Sequence, residues 1–127
     1  MLHYKRPLYV AYPLLYLNRI ACKKKDFNVS KRVAILTSGG DAPGMNACIR
    51  AAIIACQKAN FTLLGYKHGY NGLLQQEFIP LSLDSTHNLI QQGGTILHSA
   101  RCKEFKNREG LIKAADNLRQ AEIDTLI

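Results

Sequence analysis

Hydrophobic and polar positions change period several times along this 127-residue chain, and each change marks a boundary between an extended and a helical segment. Residues 32–37 carry a continuous apolar run that includes Val33, Ile35 and Leu36 and is followed by glycine, as in a buried parallel strand. Residues 46–59 shift to a helical pattern. There Ala47, Ala51, Ala52 and Ala55 permit close approach to a sheet, while Ile49, Ile53 and Cys56 fill the space between. Residues 62–65 read as a second short strand, 66–72 as a glycine-punctuated loop, and 78–83 as another extended piece containing Pro80. The pattern then predicts a short helix over 85–92 stopped by Gly93, a strand at 95–97, and a helix capped by Asn107 that runs to about residue 121. In that last helix Leu111, Ala114, Ala115 and Leu118 recur at helical intervals and are expected to face the core. A final apolar run, 123–127, reads as a strand.

This alternation predicts an α/β fold: a three-layer arrangement with a parallel sheet between helices, Rossmann-like in plan. In such folds ligands lie beyond the carboxyl ends of the strands. Three glycine-containing segments fall there, TSGGDAPGMN (37–46), GYKHGYNGL (65–73) and GGTILHSARCKEF (93–105). In the first, Gly39 and Gly40 can adopt positive φ and expose their N–H groups to an anion without interference from a Cβ. Asp41 and Pro43 tighten the turn, Gly44 closes it, and the helix starting at about Met45 brings its positive dipole end nearby. A phosphate suits such a loop. It is neither G-x-x-x-x-G-K-[ST] nor G-x-G-x-x-G, and taken alone it is equally an ordinary strand-to-helix turn. Asp41 is expected to hydrogen-bond its own backbone and hold the loop. Tyr70 offers a flat face to a base and a hydroxyl to a polar partner. Arg101 is either a phosphate contact or a surface arginine paired with Glu104.

Together, in this order and spacing, the three segments closely resemble the N-terminal portion of the 6-phosphofructokinases (the phosphofructokinase A family), over residues from about Lys31 to Ile127. The resemblance implies transfer of the ATP γ-phosphate to fructose 6-phosphate, with Mg²⁺, in glycolysis. It places Gly39 and Gly40 at the terminal phosphates, Tyr70 near the nucleotide, Arg101 and Cys102 at the nucleotide site, and Arg101 as the catalytic group. Arg50 matches an effector-site arginine of bacterial enzymes, whereas Ile54 and Leu83 stand where regulated bacterial enzymes carry arginine, so effector binding is expected to be weak. His68 and His98 match no catalytic position. The family's GGDGS and TIDND strings, which supply the metal aspartate and the base, do not occur here. On this reading residues 31–127 are a partial nucleotide-binding domain, inactive alone, without the Mg²⁺ ligand, and part of a cytoplasmic homotetramer when complete. A pyrophosphate-dependent enzyme and a non-catalytic remnant that binds nucleotide or full-length subunits are the alternatives.

Composition changes the picture in one respect. A formal charge of +8 suggests a nucleic-acid partner until it is located. Residues 1–32 hold eight Lys/Arg and one Asp, while residues 33–127 hold nine Lys/Arg and eight Asp/Glu, so the excess lies in the first thirty residues or so. No nucleic-acid stripe remains in the body. Residues 1–30 are expected to be a basic extension, disordered or artefactual, with a secretory or organellar address as the alternative. Its apolar run, 8–17, is half the roughly 20 residues that a membrane-spanning helix needs. The four cysteines, Cys22, Cys48, Cys56 and Cys102, form no C-x-x-C pair, which argues against zinc. Cys48 and Cys56 on one helix would lie about 12 Å apart along its axis, too far for a disulfide.

Overall fold

A computed structural model describes residues 31–127 and the backbone of Tyr9–Val10. The expectations for residues 1–30 otherwise lie outside the described residues. Strands β1 (Tyr9–Val10), β2 (Arg32–Leu36), β3 (Thr62–Tyr66), β4 (Phe78–Leu81) and β5 (Thr125–Leu126) form one sheet in the order β1-β5-β2-β3-β4. Helices α1 (Met45–Lys58), α2 (Tyr70–Gln75) and α3 (Arg108–Gln120) complete the body.

The period-2 alternation of β2 divides the core. Val33 and Ile35 point to one face, where Ile49, Ala52, Ile53 and Cys56 of α1 pack with Leu63, Leu81, Leu89 and Leu97. Ala34 points to the other, against Leu73 and Leu74 of α2, Ala114 and Leu118 of α3, and Leu64, Tyr66, Ile123 and Leu126. Helices on both faces give the three-layer α/β, Rossmann-like architecture expected. Burial raises the Cys56 thiol to about 11 and also raises the Tyr66 hydroxyl. Both sit in these clusters.

Four local expectations need correction. β4 runs antiparallel to β3, with Tyr66 opposite Phe78 and Leu63 opposite Leu81, so the otherwise parallel sheet carries one reversed strand. The six residues of α2 are too few to carry the chain back across the sheet; instead Gln76 turns it at φ 56, and the Lys67 N–H meets the Glu77 carbonyl at 3.0 Å. The second glycine loop therefore contains the start of α2. It was read as pure loop because two glycines hide so short a helical period.

The helix expected over 85–92 is instead two 3-10 turns, Leu83–Thr86 and Leu89–Gln91, separated by Asn88 at φ 57. The strand expected at 95–97 is absent. Its backbone bonds run to side chains and loops: Ile96 N–H to Asn46 Oδ1 (3.0 Å), Leu97 N–H to Thr95 Oγ1 (3.3 Å), and the Leu97 carbonyl to the His68 N–H (2.7 Å). Leu97 is fully buried and fills the space above Gly65, where an added Cβ would lie 2.5 Å from its Cδ2.

Asn107 sits at the α3 N-cap position without making a side-chain cap. Ala114 and Leu118 face the core, but Leu111 and Ile112 are about half exposed, at 49% and 53%. The buried stripe of α3 starts one residue earlier, at Gly110, whose missing Cβ lets the helix approach the backbone of residue 104: a Cβ there would lie 2.1 Å from the Glu104 carbonyl oxygen. Asn117 takes the inward place instead and donates to the Leu73 and Leu74 carbonyls at 2.9 and 3.0 Å. These bonds satisfy the carbonyl end of α2.

Candidate functional site

β2 ends at Leu36, and the chain leaves the sheet through Thr37, which is buried, into the exposed residues 38–44. Gly39 (φ 87) and Gly44 (φ 94) take the left-handed conformation. Gly40 does not, so of the pair only Gly39 uses the freedom foreseen. No atom lies within 4 Å of a Cβ built on Gly39, Gly40 or Gly44, which leaves this side of the loop open to a ligand. Gly44 is the N-cap residue of α1, and neither a side-chain cap nor an acidic first-turn residue offsets the positive helix end.

Hydrogen bonds join the glycine loop to the other two. Thr37 Oγ1 donates to the His98 carbonyl at 2.9 Å, which uses its one proton; Thr95 Oγ1, at 3.2 Å, must therefore donate to Thr37 and accept from the Leu97 N–H. Asn46 Nδ2 donates to the Gln92 carbonyl at 3.2 Å while its Oδ1 holds Ile96, so one side chain in the first turn of α1 spans residues 92–96. Gly69 (φ 60) is wedged between the loops. A Cβ there would lie 2.8 Å from the Thr37 carbonyl oxygen, 3.5 Å from that of Ala100 and 3.6 Å from the Ser38 Cα. Asn71 Nδ2 reaches the Arg101 carbonyl at 3.5 Å, the long end of hydrogen-bond range. All three glycine segments thus meet at the carboxyl edge of β2 and β3.

The candidate residues divide by environment. Arg101 is exposed, and among the described residues its guanidinium forms no ion pair, so the surface pairing with Glu104 does not occur. Tyr70 is half-buried and stacked on Phe105, with centroids 3.8 Å apart and 13° between planes, which occupies one face of its ring. Cys102 is half-buried and packs with them against the second core cluster. Arg50 is exposed on α1, a helix that packs against the turn carrying Leu83, and Ile54 is half-buried. Asp41 is exposed and makes no hydrogen bond to its own loop, contrary to expectation. Its carboxylate instead approaches Gly94, where a Cβ would lie 3.0 Å from Oδ2. The two segments enclose an open cleft of about 480 Å³, lined by Asp41, Pro43, Gly44, Asn46, Gln92 and Gly94 among others.

Sequence reasoning passed over Asn46, Gly69 and the Thr37–Thr95 pair. Asn46 carried a signal: it lies on the same helical stripe as Ile49, Ile53 and Cys56, and a polar residue on a core-facing stripe needs a partner. Among the described residues no three or more His, Cys, Asp or Glu side chains gather closely enough to hold a metal ion. No helix among them is long and apolar enough to cross a membrane.

The comparisons with known proteins agree with this geometry. A family model described as phosphofructokinase matches residues 32–127. The ATP-dependent 6-phosphofructokinase of Cytophaga hutchinsonii is 50% identical over 97 residues, covering 76% of this chain and 30% of that protein. The chain thus spans about 30% of the length of the curated relatives it matches. Among solved structures, phosphofructokinase from Pichia pastoris matches with TM-score 0.74 and 40% identity over 82% of this chain and 11% of that one. The Saccharomyces cerevisiae phosphofructokinase matches with TM-score 0.72 and 36% identity over 76% of this chain and 13% of that one.

Proposed function

Because the chain belongs to the phosphofructokinase family, we propose that residues 31–127 form the nucleotide-phosphate part of an ATP-dependent 6-phosphofructokinase, with residues 1–30 a basic extension whose Tyr9–Val10 strand pairs with β5. The observation that supports this most is the meeting of three glycine segments at one strand edge, with an unobstructed side at Gly39 and Gly40 and an uncapped helix end behind them. The backbone N–H groups of Gly39 and Gly40 hold the terminal phosphates of ATP. Tyr70 lends its remaining face to the nucleotide, and Cys102 lies beside it. Arg101 acts on the transferring group: phosphoryl transfer spreads charge over three equatorial oxygens, and an unpaired guanidinium bridges them as that charge develops.

In this reading the acceptor is the 1-hydroxyl of fructose 6-phosphate, and the complete enzyme is a cytoplasmic homotetramer. Bound Mg²⁺ would neutralise phosphate charge. No residue among 31–127 is assigned as base or metal ligand, so the chain alone is expected to show no turnover in a coupled assay. Response to phosphate-bearing effectors through Arg50 is expected to be weak, because Ile54 and Leu83 add no charge. Calorimetric titration of the chain with ATP and Mg²⁺ tests the reading. Binding that Gly39→Val abolishes supports it, and absence of binding refutes it.

A further inference from the structure

We propose that Phe105 is a positioning residue that holds Tyr70 as a fixed platform for a nucleobase, and that this aromatic pair makes the site select a nucleoside triphosphate over an inorganic polyphosphate; this rests on the nucleotide reading above. The two rings stack with centroids 3.8 Å apart and 13° between planes. Aromatic pairs usually sit about 4.5–7 Å apart, so a stack this close is held from outside the rings. Each ring is held. Tyr70 opens α2 directly after Gly69, whose backbone (φ 60) is wedged against Thr37 and Ala100, and the next residue, Asn71, reaches the Arg101 carbonyl. Phe105 is the middle residue of the 3-10 turn Glu104–Lys106, and Gly110 of α3 comes so close to that turn that a Cβ would stand 2.1 Å from the Glu104 carbonyl oxygen and 3.2 Å from the Phe105 Cα. Both rings, like Leu36 and Cys102, pack against the second core cluster. The core therefore sets the angle of the pair.

Phe105 takes one face of Tyr70. The Tyr70 hydroxyl makes no hydrogen bond among the described residues and is not buried, so a ligand reaches the ring from solvent at its outer end. A Cβ at Gly69 would lie 3.6 Å from the Ser38 Cα, which puts Tyr70 one residue from that contact on one side and Gly39 one residue from it on the other. Each such step along the chain is about 3.8 Å, so the platform and the phosphate loop fall within the length of one nucleoside triphosphate. The amides of Gly39 and Gly40 meet phosphate oxygens, and ATP and an inorganic chain of phosphates present the same oxygens to them. Only the nucleotide carries a base, and a base stacked on an aromatic face adds about tenfold to a hundredfold in affinity. A ring that swings freely gives part of that gain back as the entropy of fixing it. With Phe105 behind it, Tyr70 is fixed before the nucleotide arrives.

The test is calorimetry of the full chain with Mg²⁺ and either ATP or inorganic tripolyphosphate, for the native sequence, Phe105→Leu and Phe105→Tyr. Leucine keeps an apolar side chain against the core and loses the flat face, whereas tyrosine keeps the face. The native chain is expected to prefer ATP by at least about tenfold. Phe105→Leu should lose most of that preference through ATP alone, with its affinity for tripolyphosphate within about twofold of native, and Phe105→Tyr should retain the native preference. A joint fall in both affinities would make Phe105 a general support of the loops and overturn the inference, as would an unchanged preference in the leucine variant. NMR of the native chain needs no variant: the ring resonances of Tyr70 and Phe105 should shift on addition of ATP and stay in place with tripolyphosphate. Equal affinity of the native chain for the two ligands, or ring shifts common to both, would overturn the inference and leave a phosphate site standing. Failure of the native chain to bind either ligand would overturn the nucleotide reading as well.

Discussion

Asn46→Ala should be a costly change although it lies outside the hydrophobic clusters, because Asn46 is 4% exposed and joins α1 to residues 92–96 through two bonds. Each such bond contributes about 0.5–1.5 kcal/mol net, and leaving the Ile96 N–H without an acceptor adds a desolvation cost of about 1–3 kcal/mol. Alanine returns about 0.5 kcal/mol through its better helix propensity. These terms sum to about 1.5–5.5 kcal/mol, and because the lost Ile96 bond and its desolvation overlap, the expected loss is about 2–3 kcal/mol. For a body of roughly a hundred residues each kcal/mol moves the melting temperature by about 4–8 °C, so a fall of about 8–24 °C is expected. Urea unfolding followed by circular dichroism gives the free energy directly, and the slope of the transition shows whether the unfolded state has changed. Asn46→Leu separates bonding from packing, since it keeps the volume and makes neither bond; it should cost at least as much as alanine. A leucine variant as stable as the native chain would show that Asn46 only fills space, and an alanine variant within about 0.5 kcal/mol of native would refute the bridging argument altogether.

Four further outcomes follow from the geometry. Gly72→Ala should prevent stable folding or lower the urea midpoint severely, because the added Cβ would lie 1.9 Å from the Lys67 carbonyl oxygen; a near-native midpoint would show that α2 moves freely. In a chimera that joins residues 31–127 to the remainder of the Cytophaga hutchinsonii enzyme, Arg101→Ala should reduce kcat about a hundredfold, for about 3 kcal/mol, with little change in KM for ATP. A raised KM with unchanged kcat would make Arg101 a ground-state contact. Cys56, raised from 9.0 to about 11 by burial, keeps its proton in the folded state at pH values where the unfolded thiol ionises. Its contribution to stability is therefore full below pH 9.0 and lost as pH rises toward 11, which alkaline unfolding of Cys56→Ala against native will show. Thiol labelling at pH 8 should modify the exposed Cys48 quickly and Cys56 only on unfolding.

The sequence revealed most where local pattern and tertiary packing ask for the same thing. β2 and α1 were legible because an apolar run, a glycine turn and a small-residue helix each specify their own conformation. The meeting of the first two loops at one edge was legible from topology, since the parallel strands β2 and β3 deliver their following loops to the same side, whereas the third segment follows the reversed β4 and two 3-10 turns and reaches that edge through Asn46 and Thr37. Residues 95–97 were misread because their apolar, β-branched pattern suits a strand, while their backbone partners come from Asn46, about fifty residues earlier, and from the Thr95 hydroxyl. No local window contains that information. The direction of β4 was hidden for a similar reason: it depends on the left-handed turn at Gln76, a residue type that announces no turn. Leu111 fits the apolar periodicity, yet the buried stripe runs through Gly110, Ala114, Asn117 and Leu118, and a glycine and an asparagine on it give no apolar signal.

The one-way passage of protons from Thr95 to Thr37 to the His98 carbonyl has a bearing on how this site will look under mutation. Both hydroxyl protons are already committed within the protein, so neither threonine can greet a ligand oxygen as a donor. Recognition at Gly39 and Gly40 then falls to amide groups that every amino acid except proline possesses. A saturation library across these positions should sort its survivors by the backbone angles and bulk they allow, with little regard for polarity. The threonines should behave oppositely, tolerating serine and rejecting valine, because their hydroxyls are spent within the protein.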